Sequence, residues 1–293
     1  MALFCVKPSH RWYSGWLLIL VCTVEQAFAD DLTIVPSFIP NYFSADYGID
    51  SDHGHSLYLF SNLAVANQHR VSIGYGAHED TVSGSLEELD TRTYMLGYNY
   101  NLQQAIQVGA EYEFWGDNSK ITTNRYSFFV SLHLDKVSFS ITPQIEDIKV
   151  YTSSSNCSGS LDSKAVALEM IFYPDTRWSL NTGYTSYDYS QNYNDLLNCV
   201  DIVELPLIIS RLQTVADDNE ISIGLDYYIE SETYGINWLR IESAVDDSST
   251  YVTSAYATTD VFDDWSVTAT FGVQENFDNT TTKFIHGTLG YYW

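Results

Sequence analysis

The chain has 293 residues, with 13 basic and 38 acidic side chains and a net charge of −25. That balance excludes nucleic acid as a partner, because phosphate binding needs a basic patch. Aromatic residues make up 15% of the chain and the acids are spread along it, which argues against a disordered acidic protein.

Residues 1–29 have the form of a secretory signal peptide. Lys7 and Arg11 give a positive start, Trp16–Cys22 is an apolar run too short to span a bilayer, and Ala27-Phe28-Ala29 precedes Asp30 as a small-x-small cleavage site. Val21 before Cys22 disfavours a lipoprotein reading. Nothing after residue 30 has 18 consecutive apolar residues, so no transmembrane helix is predicted. Without residues 1–29 the net charge becomes −26. Residues 30–42 read as a short periplasmic lead.

From there the chain is a succession of segments in which apolar residues alternate with polar or small ones. Examples are Val71, Ile73, Tyr75 and Ala77; Ile106, Val108, Ala110, Tyr112 and Phe114; and Trp265, Val267, Ala269, Phe271 and Val273. Period-two alternation marks strands with one apolar face. A soluble sandwich would alternate too, but its strands usually have about 5–6 residues. These are long enough to cross a bilayer at a tilt. Aromatics also recur near segment ends, as at Tyr98, Tyr100, Phe114, Trp115, Trp178 and Trp265, the placement an interfacial girdle requires.

Fourteen strands are expected: 43–51, 55–66, 69–79, 90–101, 104–115, 122–134, 137–150, 163–173, 177–189, 219–229, 233–244, 249–259, 265–275 and 282–293. Their connections alternate between tight and mostly longer, the pattern of short periplasmic turns and longer outer loops. A sixteen-strand count would add Leu32–Ile39 and Ile202–Gln213, but prolines interrupt both and the loop parity would invert. Twelve is the other alternative.

The chain closes on Lys283-Phe-Ile-His-Gly-Thr-Leu-Gly-Tyr-Tyr-Trp293, with Trp293, Tyr291 and Leu289 on one face. This resembles the closing strand of bacterial outer-membrane β-barrels. That resemblance implies an all-β, antiparallel, up-and-down transmembrane barrel over 43–293. It also implies outer-membrane lipid as surroundings and a terminal signature, Trp293, Tyr291 and Leu289, read by the barrel assembly machinery. In strand number and size the chain is similar to monomeric fourteen-stranded porins, in architecture only. Its own oligomeric state stays open.

Fourteen strands about 4.8 Å apart and tilted by about 40° give a backbone diameter near 28 Å. Alternation assigns Asp46, Asp50, Arg70, His78, Asn99, Glu111, Glu113, Arg125, His133, Gln144, Glu146, Asn181, Glu220, Asp226 and Gln274 to the inside, among many glycines. Of these, Asp46, Arg70, Glu111, Glu113, Arg125, Glu146 and Asp226 are the main candidate lumen-lining residues. A barrel this wide admits water.

Cys157 and Cys199 would fall on neighbouring outer loops, and in an exported protein they are expected to form a disulfide. The long segment 190–218 either folds over the mouth or packs on strands extended above the membrane. His53, His55 and His78 on adjacent loops are weak candidates for a metal, against the simpler reading of solvated loop tips. No cofactor motif is present. No Gly-x-Ser-x-Gly, phosphate loop or His-Glu-x-x-His occurs, and the neighbours His55 and Ser56 point to opposite faces of one strand. The sequence therefore points away from an enzyme. It favours a channel for small hydrophilic solutes, with an accessory or structural barrel as the alternative and a barrel enzyme less favoured.

Overall fold

The computed structural model describes residues 40–51, 54–81, 88–103, 105–117, 121–151, 158–190, 216–245, 247–276 and 280–293. The expected signal peptide (1–29), most of the expected 30–42 lead, His53, Cys157, Cys199 and most of segment 190–218 lie outside these residues.

The strands are β1 (Tyr42–Asp50), β2 (His55–Ala66), β3 (His69–Thr81), β4 (Glu88–Gln103), β5 (Ile106–Asp117), β6 (Ile121–His133) and β7 (Val137–Tyr151). They continue with β8 (Ser158–Asp175), β9 (Trp178–Tyr189), β10 (Asp217–Ile229), β11 (Glu232–Ser243), β12 (Ser249–Phe262), β13 (Trp265–Glu275) and β14 (Thr281–Tyr292). Each pairs antiparallel with its sequence neighbour, and β1 pairs with β14 to close a fourteen-stranded barrel. The seam runs from Tyr42 opposite Tyr292 to Asp50 opposite Phe284. Asn41 and Trp293 extend it by exchanging two backbone hydrogen bonds of 3.2 Å.

Several strands outrun their alternation. β8 was expected at 163–173 and occupies Ser158–Asp175; β4 was expected at 90–101 and occupies Glu88–Gln103. The ladder is made by backbone groups, so pairing continues past the last apolar side chain. Pro143 sits inside β7, where it cannot donate to a ladder. The β6–β7 register resumes on either side of it, at Ser127 opposite Gln144 and Val130 opposite Ile141.

The concave face identifies itself. Tyr256 on β12 donates a 2.6 Å hydrogen bond to Asp226 on β10, crossing the intervening β11. Side chains two strands apart converge in this way only on the inside of a curved wall. Gly235 of β11 lies beneath the bond: a Cβ there would stand 2.1 Å from the Tyr256 ring and 2.7 Å from Asp226 Oδ1. The registers carry this face around the barrel.

The convex face carries exposed apolar side chains, including Ile73, Leu96, Phe128, Ile145, Ile236 and Phe271. At the tight-turn end Trp265 packs on Tyr291 with ring centroids 4.7 Å apart, Tyr291 on Trp293 at 5.4 Å, and Trp178 on Tyr227 at 4.4 Å. Trp115 does not join an aromatic girdle. Its register, opposite Thr93 and Thr123, places it on the concave face.

The Gly235 crossing gives a test. Tyr256→Phe removes one hydrogen bond to a carboxylate, which costs about 1.5–3 kcal/mol. Gly235→Ala should cost more, because its Cβ displaces the ring as well as the bond. Urea unfolding in detergent measures both, and a Gly235→Ala barrel as stable as wild type would contradict the assignment.

Candidate functional site

Four polar nodes stand on the concave face. The largest joins β5 to β10. Arg125 on β6 lies opposite Glu113 on β5 and Glu146 on β7. Its Nε donates to Glu146 Oε1 at 2.5 Å, and Nη1 reaches Glu113 Oε1 at 3.4 Å. Ser163 Oγ donates to the second Glu146 oxygen at 2.9 Å. Glu146 is only 1% exposed, so its charge depends on these partners. Nearby, Tyr187 Oη donates to Glu220 at 2.6 Å.

Below this node a groove of about 310 Å³ runs along the wall, lined by Glu111, Arg125, Phe129, Gln144 and Glu169 with serine and threonine hydroxyls between them. Phe129 folds over Gly109, where a Cβ would meet the ring at 2.3 Å. Glu169 is exposed, whereas Glu146 is sealed.

In the second node Asp226 accepts hydrogen bonds from Ser179 at 2.9 Å, Asn181 at 2.7 Å and Tyr256 at 2.6 Å. In the third, at the seam, Asp46 accepts from Thr288 at 2.6 Å and pairs with His286 Nδ1 at 3.0 Å. The fourth is Arg70, which is buried. Its Nε donates to Asn62 at 2.6 Å and its Nη2 to the Pro40 carbonyl at 2.7 Å, tying the lead to the wall.

All seven candidate lumen residues thus share the concave face. The structure brings together Glu113, Arg125 and Glu146, with Glu111 beside them in the groove. Asp46, Arg70 and Asp226 stand apart. The sequence reading overlooked Glu169, Tyr187, Gly235 and Tyr256. Glu169 could have been found, since it alternates with Val166, Leu168 and Met170. Tyr256 and Gly235 could not, because their role depends on which strands are neighbours.

Among the described residues, His55 and His78 are not brought together; His53 lies outside them. His55 accompanies Tyr47 on the convex face, with Tyr47 Oη and His55 Nδ1 3.1 Å apart. His78 lies opposite Ser56 on the concave face. One-residue offsets in a pleated strand turn side chains to opposite sides, which separates the pair.

No family model and no curated protein matches the chain. Solved structures share its fold at low identity. The "CymD monoaromatic hydrocarbon channel" superposes with a TM-score of 0.53 at 10% identity, over 86% of this chain and 87% of that one. The "Bacterial polysaccharide outer membrane secretin" gives 0.50 at 8% identity, over 87% and 98%. The "outer membrane channel DcaP of Acinetobacter baumannii" gives 0.46 at 9%, over 87% and 96%. The chain therefore has the barrel architecture found in outer-membrane channels, without sequence kinship at these levels.

Removing Arg125 would leave Glu146 as an uncompensated buried charge. Arg125→Met should destabilise the barrel by about 3–5 kcal/mol, and adding Glu146→Gln should recover part of the loss. Denaturant midpoints of the two single variants and the double variant measure the coupling, and additive effects would refute it.

Proposed function

We propose that this chain is an outer-membrane channel, not an enzyme, and that it passes small hydrophilic solutes with a preference for cations. The carrying observation is the charge balance around the concave-face groove. Glu111, Glu113 and Glu169 accompany a single guanidinium, Arg125, which Glu146 already engages at 2.5 Å. Carboxylates lining a water-filled passage favour cation entry. On this reading Asp46, Arg70 and Asp226 line the same lumen, and the barrel sits among outer-membrane lipids. Its closing residues Leu289, Tyr291 and Trp293 serve the assembly machinery, and the signal segment and the Cys157–Cys199 disulfide belong to the exported form.

One observation favours a second reading, a barrel closed at its mouth. Toward the loop end of β6–β8 the concave side chains Ile121, Ile148, Val150 and Leu161 are at most 1% exposed, so that part of the mouth is filled. Planar-bilayer recording separates the two. The channel reading expects discrete conductance steps and a reversal potential on the cation side, weakening as salt rises. Glu111→Gln combined with Glu113→Gln should reduce the preference. An absence of steps would leave the closed barrel, and an unchanged preference would move selectivity to the loops.

The terminal residue has a separate readout. Deleting Trp293 removes the stack on Tyr291 and the two bonds to Asn41, and should sharply lower the heat-modifiable, membrane-inserted fraction in cells. Insertion at wild-type yield would show that the ending is not an assembly signal.

A further inference from the structure

The convex face carries an ordered collar of charge at its loop end. On β4 the outward positions run Tyr94, Arg92, Asp90 toward that end. On β8 they run Val166, Lys164, Asp162, and on β11 Trp238, Arg240, Glu242. On the last pair of strands Ile285 is followed by Lys283, with Glu275 one step further out on β13. Four times around the barrel the apolar belt therefore ends at a cation, and a carboxylate stands beyond it. Strand β7 reverses the order, with Lys149 outside Asp147, and on β3 and β9 the outward positions end directly at Glu79 and Asp188.

This placement is selective. The chain has almost three acidic residues for each basic one, yet the layer adjoining the belt holds four cations, Arg92, Lys164, Arg240 and Lys283, against one carboxylate, Asp188 opposite Lys164. Solvation of the loop end would be served as well by carboxylates. Arg92 pairs with Asp90, and Arg240 Nη2 contacts Glu242 at 2.8 Å, so the outer acids hold the cations in place. Beside Arg240, Trp238, Tyr251 and Val273 line a convex groove of about 310 Å³, closed toward the loop end by Glu275. Tyr251 lies directly opposite Arg240 in the ladder. The groove also includes Thr253, and its Trp238, Tyr251 and Val273 walls beside a guanidinium suit an acyl chain with an anionic head.

We propose that this collar docks the phosphate groups of the outer-leaflet glycolipid, with Arg240 over an acyl chain in the Trp238–Tyr251–Val273 groove. The assignment rests on the outer-membrane reading above, which turns the loop end outward. Phosphates lie just outside the hydrocarbon, where the long stems of Arg92, Lys164, Arg240 and Lys283 can carry their charges. The carboxylate tier limits how far outward a phosphate can ride.

The test is lipid retention. Full-length protein is reconstituted in phosphatidylcholine nanodiscs containing bis-phosphorylated lipid A or its dephosphorylated form, then released and weighed by native mass spectrometry. Preferential retention of the phosphorylated form is expected. Each basic side chain near the surface contributes roughly fivefold, so Arg92→Gln, Lys164→Gln and Arg240→Gln together should lower retention by about two orders of magnitude. Arg240→Gln alone, expected at about fivefold, serves if the triple variant loses its heat-modifiable migration. Equal retention of both lipids by wild type, or retention by the folded variant within twofold of wild type, would overturn the proposal. Retention does not require conductance, so a non-conducting barrel that keeps the lipid would sink only the channel reading.

Discussion

In hydrocarbon, an unpaired backbone N–H or C=O costs several kcal/mol, and no water is available to satisfy it. A sheet in a bilayer must therefore close on itself. Here closure depends on the shortest strand, β1, whose nine residues pair with β14 on one side, while eight of them pair with β2 on the other. Beyond the ladder the seam is lengthened at both ends, by Asn41 with Trp293 and by Ser51 N donating to the Lys283 carbonyl at 2.7 Å. Once the wall is continuous, the parity of every side chain follows from its register. Several hairpins absorb a register shift beside their tight turn, as between Ala64 and Ala66 or Asp260 and Phe262. The mismatch is thereby kept away from the middle of the wall.

A wall of fourteen strands encloses a space too wide for most side chains to meet across it. Polar groups are satisfied sideways instead, along the wall. Arg125 links β5, β6 and β7, and Asp226 gathers donors from β9 and β12. Glycine makes the longer of these links geometrically available. Tyr58 reaches Met95 Sδ at 3.7 Å across Gly74, as Tyr256 reaches Asp226 across Gly235. In both cases an aromatic side chain lies flat where a neighbouring side chain would otherwise stand.

The strand count and the two faces were legible because alternation is a local property, repeated in segments such as Val71–Ala77 and Trp265–Val273. The polar character of the inner wall followed from the same parity. Relations between strands were not legible. Nothing around Arg125 indicates that Glu146, twenty-one residues later, sits opposite it, because register is set by turn lengths and bulges. Trp115 was misassigned for a related reason: it is adjacent to Phe114, and two consecutive aromatics cannot share a face. The full reach of β8 was hidden too, since Ser158–Asp162 pairs through its backbone and shows little apolar pattern.

The inner carboxylates fall into two kinds, and the distinction bears on whether water enters. Glu146 and Asp226, 1% and 6% exposed, have assembled partners: a guanidinium and a hydroxyl for the first, three donors for the second. A charge withdrawn from solvent is tolerable only with such a set. Glu169 has none of that enclosure. It stands exposed along the groove that Glu111 also lines, where the guanidinium lining the groove is already held by Glu146. A carboxylate without such partners is tolerable only where solvent reaches it. The wall is therefore closed to solvent at Glu146 and open to it at Glu169. On the proposed channel reading, that division suits a lumen that admits water better than a barrel packed solid along its length.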